Sequence, residues 1–218
     1  MKMLIFIAFL LSCLTCLSQQ NKAITYKRDT IIINHQKLIR INKEAKFESM
    51  LTFAGDTIVK LHNYYATIEF PDINEDGYKD IRVHIVSNTP NECDNYLFDK
   101  RTKKFILVEN CNLDIRLVKG SPYYYSYNRA GCADRNWESD LSKIENYKLI
   151  PIGYMHGQGC DFDLKENQKI EIYKVGNSKG EDKVLVKRLP LKKHIPRLED
   201  MPMFIENYWR HNWRFFLK

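Results

Sequence analysis

Asp72-Ile73-Asn74-Glu75-Asp76-Gly77-Tyr78-Lys79-Asp80 sets oxygen-bearing side chains at positions 1, 3, 5 and 9 of one short stretch, with glycine at 6. That spacing is calcium chemistry. Ligands at 1, 3 and 5 point into a single turn, the glycine allows the sharp bend, residue 7 offers its carbonyl, and position 9 closes the shell. The expected ligands are Asp72, Asn74, Asp76, the carbonyl of Tyr78, and Asp80, around Ca²⁺. Three carboxylates so close repel one another unless a hard cation or water separates them. The plainer account of the same residues is a polar turn held by Asx side chains. The loop is not an EF-hand, because Val83 stands where the bidentate glutamate would be.

The remaining chemistry-bearing residues are thinner. His156-Gly157-Gln158-Gly159-Cys160-Asp161 puts a thiol near an imidazole, the pairing of a nucleophile with its base. Glycines around a histidine equally mark an irregular loop, and no G-x-S-x-G, H-E-x-x-H or P-loop pattern occurs. The chain is therefore read as a binding protein and not as an enzyme. Tyr123-Tyr124-Tyr125-Ser126-Tyr127 puts Tyr123, Tyr125 and Tyr127 on one strand face. With Arg129 close by, and Arg135 a little further on, that face is a candidate partner-contact surface, or else a core face.

Met1 to Ser18 reads as an export signal: Lys2, a short apolar run, then Cys16-Leu17-Ser18 before Gln19. The run is too short for a transmembrane helix, which needs about 20 residues. Leu10-Leu11-Ser12-Cys13 offers a rival cut that would leave a lipid anchor on Cys13. Either way the destination is the periplasm, the exterior or a membrane-anchored lipoprotein. Residues 19–218 then form one β-rich domain. Four of the six cysteines lie beyond the signal, and an even count in an exported chain predicts disulfides. Cys93 and Cys111 are equidistant from Thr102, and Cys132 and Cys160 from Asn146, so each pair is expected to staple its own hairpin. The formal charge of +7 suits an anionic partner, but the basic residues are scattered, and nucleic acid is improbable in such a compartment.

The elements that must hold the loop read as strands. Tyr65 to Phe70 and Ile81 to Val86 alternate around it, rich in β-branched residues. Further hairpins are expected around Asn34-His35-Gln36, Ala54-Gly55-Asp56, Lys100 to Lys104, Glu145-Asn146-Tyr147 and Gly176 to Gly180, with a strand at Leu113 to Val118. Only the tail offers a helix, starting at Glu199-Asp200-Met201-Pro202 and running on from Phe204 to Trp213. The expected fold is all-β: an antiparallel hairpin meander forming a sandwich, barrel or propeller-like set of sheets, with a short C-terminal helix.

On these residues a resemblance can be stated. The strand-flanked acidic loop is similar to those of integrin-type β-propeller repeats. The run from Asp72 to Arg82 followed by Tyr96-Leu97-Phe98-Asp99-Lys100-Arg101-Thr102-Lys103-Lys104-Phe105 resembles a periplasmic family of Gram-negative bacteria. That family has a calcium-loop hairpin followed by a tyrosine-led hairpin, and it includes immunity proteins and lysozyme inhibitors. The resemblance covers residues 65 to 110 best and extends more loosely to about 160. It implies a protein partner, such as a peptidoglycan hydrolase. The cysteine pairs and the basic N-terminal region depart from that pattern. A glycan- or wall-acting hydrolase and a structural envelope module are the alternatives.

Overall fold

A computed structural model describes residues 24–44, 46–61, 65–160, 168–176 and 180–217. The signal segment with Cys13, and Asp161, lie outside the described residues. The described residues fold as three antiparallel sheets with one longer helix near the C-terminus, which is the all-β class expected, and among them no sheet closes into a barrel.

The first sheet is a meander of β1 (Tyr26–Ile33), β2 (Gln36–Lys43), β3 (Lys46–Thr52) and β4 (Thr57–Lys60). Its first turn, Asn34-His35, has both residues at positive φ, as a two-residue hairpin requires. The second sheet carries the acidic loop: β5 (Ala66–Glu69), β6 (Ile81–Ile85), β7 (Cys93–Asp99) and β8 (Lys104–Leu107) pair in sequence order. Alternate residues of these two sheets, among them Leu38, Met50, Val59, Ile81 and Val83, bury against one another as a common core.

The third sheet holds β9 (Arg116–Leu117), β10 (Tyr123–Tyr125), β12 (Trp137–Glu145), β13 (Lys148–Gln158), β14 (Lys169–Val175) and β15 (Lys183–Pro190), with β11 (Asn128–Arg129) paired to β12. One face of it is covered by a short α1 (Leu191–His194) and by α2 (Met201–Asn212). Helix α2 starts with proline in its first turn and turns Met201, Ile205 and Trp209 inward. Trp209 Nε1 donates to Ser139 Oγ at 2.8 Å, and Ser139 Oγ donates to the Ser126 carbonyl at 2.6 Å. This buried chain satisfies the indole and fixes helix to sheet. A third, smaller core of Ile73, Leu97, Val108, Ile115 and Tyr124 joins the loop-bearing sheet to the seven-stranded one.

The structure corrects the tyrosine strand. The alternation is as expected, but both faces are covered: Tyr125 is buried in the helix-side core with Tyr123 and Tyr127 packed beside it, and Tyr124 belongs to the junction core. Of the contact surface expected at Tyr123, Tyr125 and Tyr127, Tyr125 is core, and Tyr123 and Tyr127 are half-buried with part of each ring packed against that core. Arg129 remains exposed and is ion-paired with Asp134.

Candidate functional site

The acidic loop is built by its own side chains. Asp72 Oδ1 and Asn74 Oδ1 both accept from the Asp76 amide, at 3.0 and 3.3 Å. Asp72 Oδ2 accepts from the Gly77 amide at 2.9 Å, and Asp76 Oδ1 from the Tyr78 amide at 3.0 Å. Gly77 has φ of 88°, the left-handed backbone the bend requires. Asp72 and Asn74 are half-buried, whereas Glu75 to Lys79 are exposed.

Asp80 behaves differently. It is fully buried, and its two carboxylate oxygens accept from the Ile73 amide at 2.7 Å and the Phe98 amide at 2.8 Å. Its amide donates to the Pro71 carbonyl at 2.6 Å, closing the base of the loop. Burial pushes its pKa up to about 6; the two amides pull it down, and the carboxylates of Asp76 and Asp72 push it up. Asp80 thus clamps the loop to β7 as well as standing at the ninth position.

Two supports come from elsewhere in the chain. Asn34, in the first hairpin turn, grips Lys79 from both sides: Nδ2 donates to the Lys79 carbonyl at 2.7 Å and Oδ1 accepts from its amide at 2.8 Å. Tyr124 lies close enough to the loop that, after burial, the charges of Asp80, Asp76, Asp72 and Glu75 help raise its pKa to about 12. Neither contact leaves a trace in local spacing.

The donor set fits a hard cation: carboxylates and an amide oxygen, each retaining a lone pair beyond the one its amide uses. The amides draw the turn closed, however, and among the described residues no group of three His, Cys, Asp or Glu side chains is placed to hold a metal ion. Calcium would have to draw the Asp76 carboxylate toward the paired oxygens of Asp72 and Asn74.

Beside the loop hairpin sits a buried charged node. Arg82 on β6 pairs with Asp114 at 2.7 Å and donates to Asn95 Oδ1 at 2.8 Å and the Ile115 carbonyl at 2.6 Å. Asn95 Nδ2 in turn donates to the Leu113 carbonyl at 2.9 Å and reaches Cys111 Sγ at 3.2 Å and Cys93 Sγ at 3.5 Å. Here the expected Cys93–Cys111 bridge is not formed; both are buried free thiols. The register explains it. Tyr96 pairs with Leu107 and Asp99 with Lys104, so the hairpin centre lies half a residue from Thr102, and the ladder breaks before Asn110, whose φ is 58°. Burial pushes the thiols up to about 12 for Cys93 and about 11 for Cys111.

Cys132 and Cys160 are bridged, as expected, with Cα atoms 5.6 Å apart. The bridge removes the Cys160 nucleophile from the His156 stretch. The glycines there have a packing reason. Residues 156 and 157 lie within β13, and a Cβ on Gly157 would come under 3.0 Å of three indole atoms of Trp137, which is 1% exposed. A Cβ on Gly159 would come 2.8 Å from the Arg135 carbonyl oxygen, a milder approach to backbone.

No protein-family model matches the chain, and neither does any curated protein. Among solved structures, a Xanthomonas protein described as type IV secretion system related aligns with 75% of this chain and 85% of its own, at 15% identity and a TM-score of 0.46. At that score and identity the likeness assigns neither a family nor a function. None of the described helices is long and apolar enough to cross a membrane.

Proposed function

We propose that the protein is an exported binding module whose Asp72–Asp80 loop takes up calcium and whose partner is another protein. The observation that carries the calcium reading is the meeting of Asp72 Oδ1 and Asn74 Oδ1 at one amide nitrogen, which brings two hard donors side by side before any ion arrives. A loop arranged in advance spends less of its binding free energy on ordering. Anchorage by Asp80 and Asn34 supports a role for the exposed tip, Glu75 to Lys79, in contact with a partner. The resemblance noted for residues 65 to 110 supports the narrower reading, an inhibitor protecting against a peptidoglycan hydrolase.

The test is thermal unfolding in millimolar calcium and in chelator. Extracellular calcium modules bind at about 10⁻⁴ to 10⁻³ M, and a tenfold excess adds roughly 1.4 kcal/mol. For a chain of this length that is a rise in Tm of about 3–6 °C. Asp76→Ala should abolish the rise. Equal melting in both solutions removes calcium from the account. Residual lysozyme activity against purified wall, with and without the protein, tests the inhibitor reading separately.

A further inference from the structure

The seven-stranded sheet has two faces, and only one of them carries the helix. Where β12, β13 and β14 run side by side, the other face presents Glu138 and Asp140 opposite His156 and Tyr154, with Tyr173 beyond. Next to them opens a cavity of about 660 Å³. Its walls are made by an irregularity in the pairing. Leu141 pairs with Gly153 but Ser142 pairs with Pro151, so Ile152 is an extra residue on β13. A bulge of this kind reverses the alternation beyond it. Leu149 and Pro151 therefore line the same cavity as Tyr154, three positions on from Pro151, which an unbroken strand would not allow.

The lining has two chemistries. Glu138 and Asp140 are strong acceptors fixed on the strand. Tyr154 OH donates to Glu138 Oε1 at 2.6 Å, which aims that carboxylate and holds the ring. Lys183 Nζ sits 3.3 Å from the centre of the Tyr154 ring and attracts Asp140. Leu149, Pro151 and the ring edge supply a non-polar wall. The lining mixes Glu138, Asp140 and Glu181 with Lys148 and Lys183, so no single sign of charge is selected, and a purely apolar ligand would cut these groups off from water. An extended peptide joins a sheet at an edge, whereas β12 and β13 are paired on both sides. Hydroxyl groups on a ring with non-polar C–H faces satisfy both chemistries together.

We propose that this cavity is a saccharide-binding site, with Glu138 and Asp140 accepting sugar hydroxyls and Leu149, Pro151 and the edge of the Tyr154 ring packing against the sugar. Its volume suits a ligand of roughly two or three sugar rings. The site shares no residue with the acidic loop, so it stands or falls apart from the calcium reading.

Isothermal titration with tri-N-acetylchitotriose and with maltotriose is the test. At least one should bind at a single saturable site. Tyr154→Phe, which keeps the ring and loses only the hydroxyl, should weaken binding by about fivefold, and Asp140→Ala by tenfold or more. Unfolding curves identify any variant that has lost its fold, and Asp76→Ala should leave saccharide affinity unchanged. Absence of saturable heat with both trisaccharides overturns the proposal. So does unchanged affinity in folded Tyr154→Phe and Asp140→Ala variants, or binding of a lysine-rich peptide in place of either sugar.

Discussion

Gly157→Ala puts the packing account of the His156 stretch at risk. The glycine has ordinary extended backbone, so an alanine there meets no conformational penalty and should even gain about 0.4–1 kcal/mol through the unfolded state. What it meets is the indole of Trp137: Cε2, Nε1 and Cζ2 would all lie under 3.0 Å from the new methyl group. Comfortable carbon contacts begin near 3.5 Å, so the ring has to shift on the order of 1 Å. It is 1% exposed and rests edge-on against Phe204 at 6.5 Å, but it also lines a cavity of about 230 Å³ beside Arg135 and Leu191, which gives it somewhere to go. Overpacking in a core typically costs about 1–3 kcal/mol, and the partial relief places this change near 2. Trp137→Phe alone should cost about 1–2 kcal/mol, as a smaller version of a Trp→Ala cavity. In the double variant the methyl group occupies space the indole has vacated, so the two losses should fail to add by more than 1 kcal/mol. Urea denaturation of the four proteins measures this directly. Additivity within about 0.5 kcal/mol would refute the contact. A Gly157→Ala protein that lost an activity yet kept full stability would return the stretch to chemistry.

Cys93 and Cys111 share one amide nitrogen, and burial with their raised pKa values should make them slow toward alkylating reagents at pH 8 in the folded protein and fast in urea; equal rates in both would refute this. Reducing the Cys132–Cys160 bridge, which closes a 28-residue separation, should cost about 3–4 kcal/mol in urea denaturation, and an unchanged midpoint would count against a structural bridge. Glu171 offers a pH test. Burial works against its charge, but hydrogen bonds from Tyr173, Arg188 and Lys169 outweigh burial and hold its pKa down to about 2. A depressed carboxylate contributes stability that is complete above its unfolded value, near 4.5, and is lost as pH falls toward 2. Arg188→Ala should therefore cost about 1 kcal/mol at pH 7 and almost nothing at pH 2, and an equal loss at both would contradict the pairing.

Much of the fold is legible because its signals are local. Asn34-His35 and Asn146-Tyr147 sit at two-residue turns where all four residues take positive φ, and the acids and proline ahead of Phe204 mark the start of α2. The site is less legible, because its supports are remote. Asn34 reaches Lys79 across 45 residues, and Asp80 binds Phe98 across 18. Gly157 reads as loop chemistry until Trp137, 20 residues earlier, is seen lying across it. The extra residue at Ile152 flips a face through a pairing irregularity that no periodicity within β13 announces.

The two cysteine pairs show how far hairpin symmetry can be pushed as an argument. It rests on a ladder continuing in register to the cysteines, and in neither hairpin does it do so. In the first, the ladder ends with β8 and the thiols are left side by side around Asn95. In the second, the pairing of Trp137 with Gly157 would, if continued, set Cys132 beyond Cys160 by two residues. What brings them together is the turn just before β12, where Gly131, Cys132, Ala133 and Asp134 all have positive φ and fold the chain back onto the end of β13. Four consecutive left-handed residues, three of them not glycine, are costly in isolation. The bridge and the turn therefore sustain each other: the disulfide holds a backbone that would otherwise relax, and the turn supplies the close approach that the ladder alone would miss.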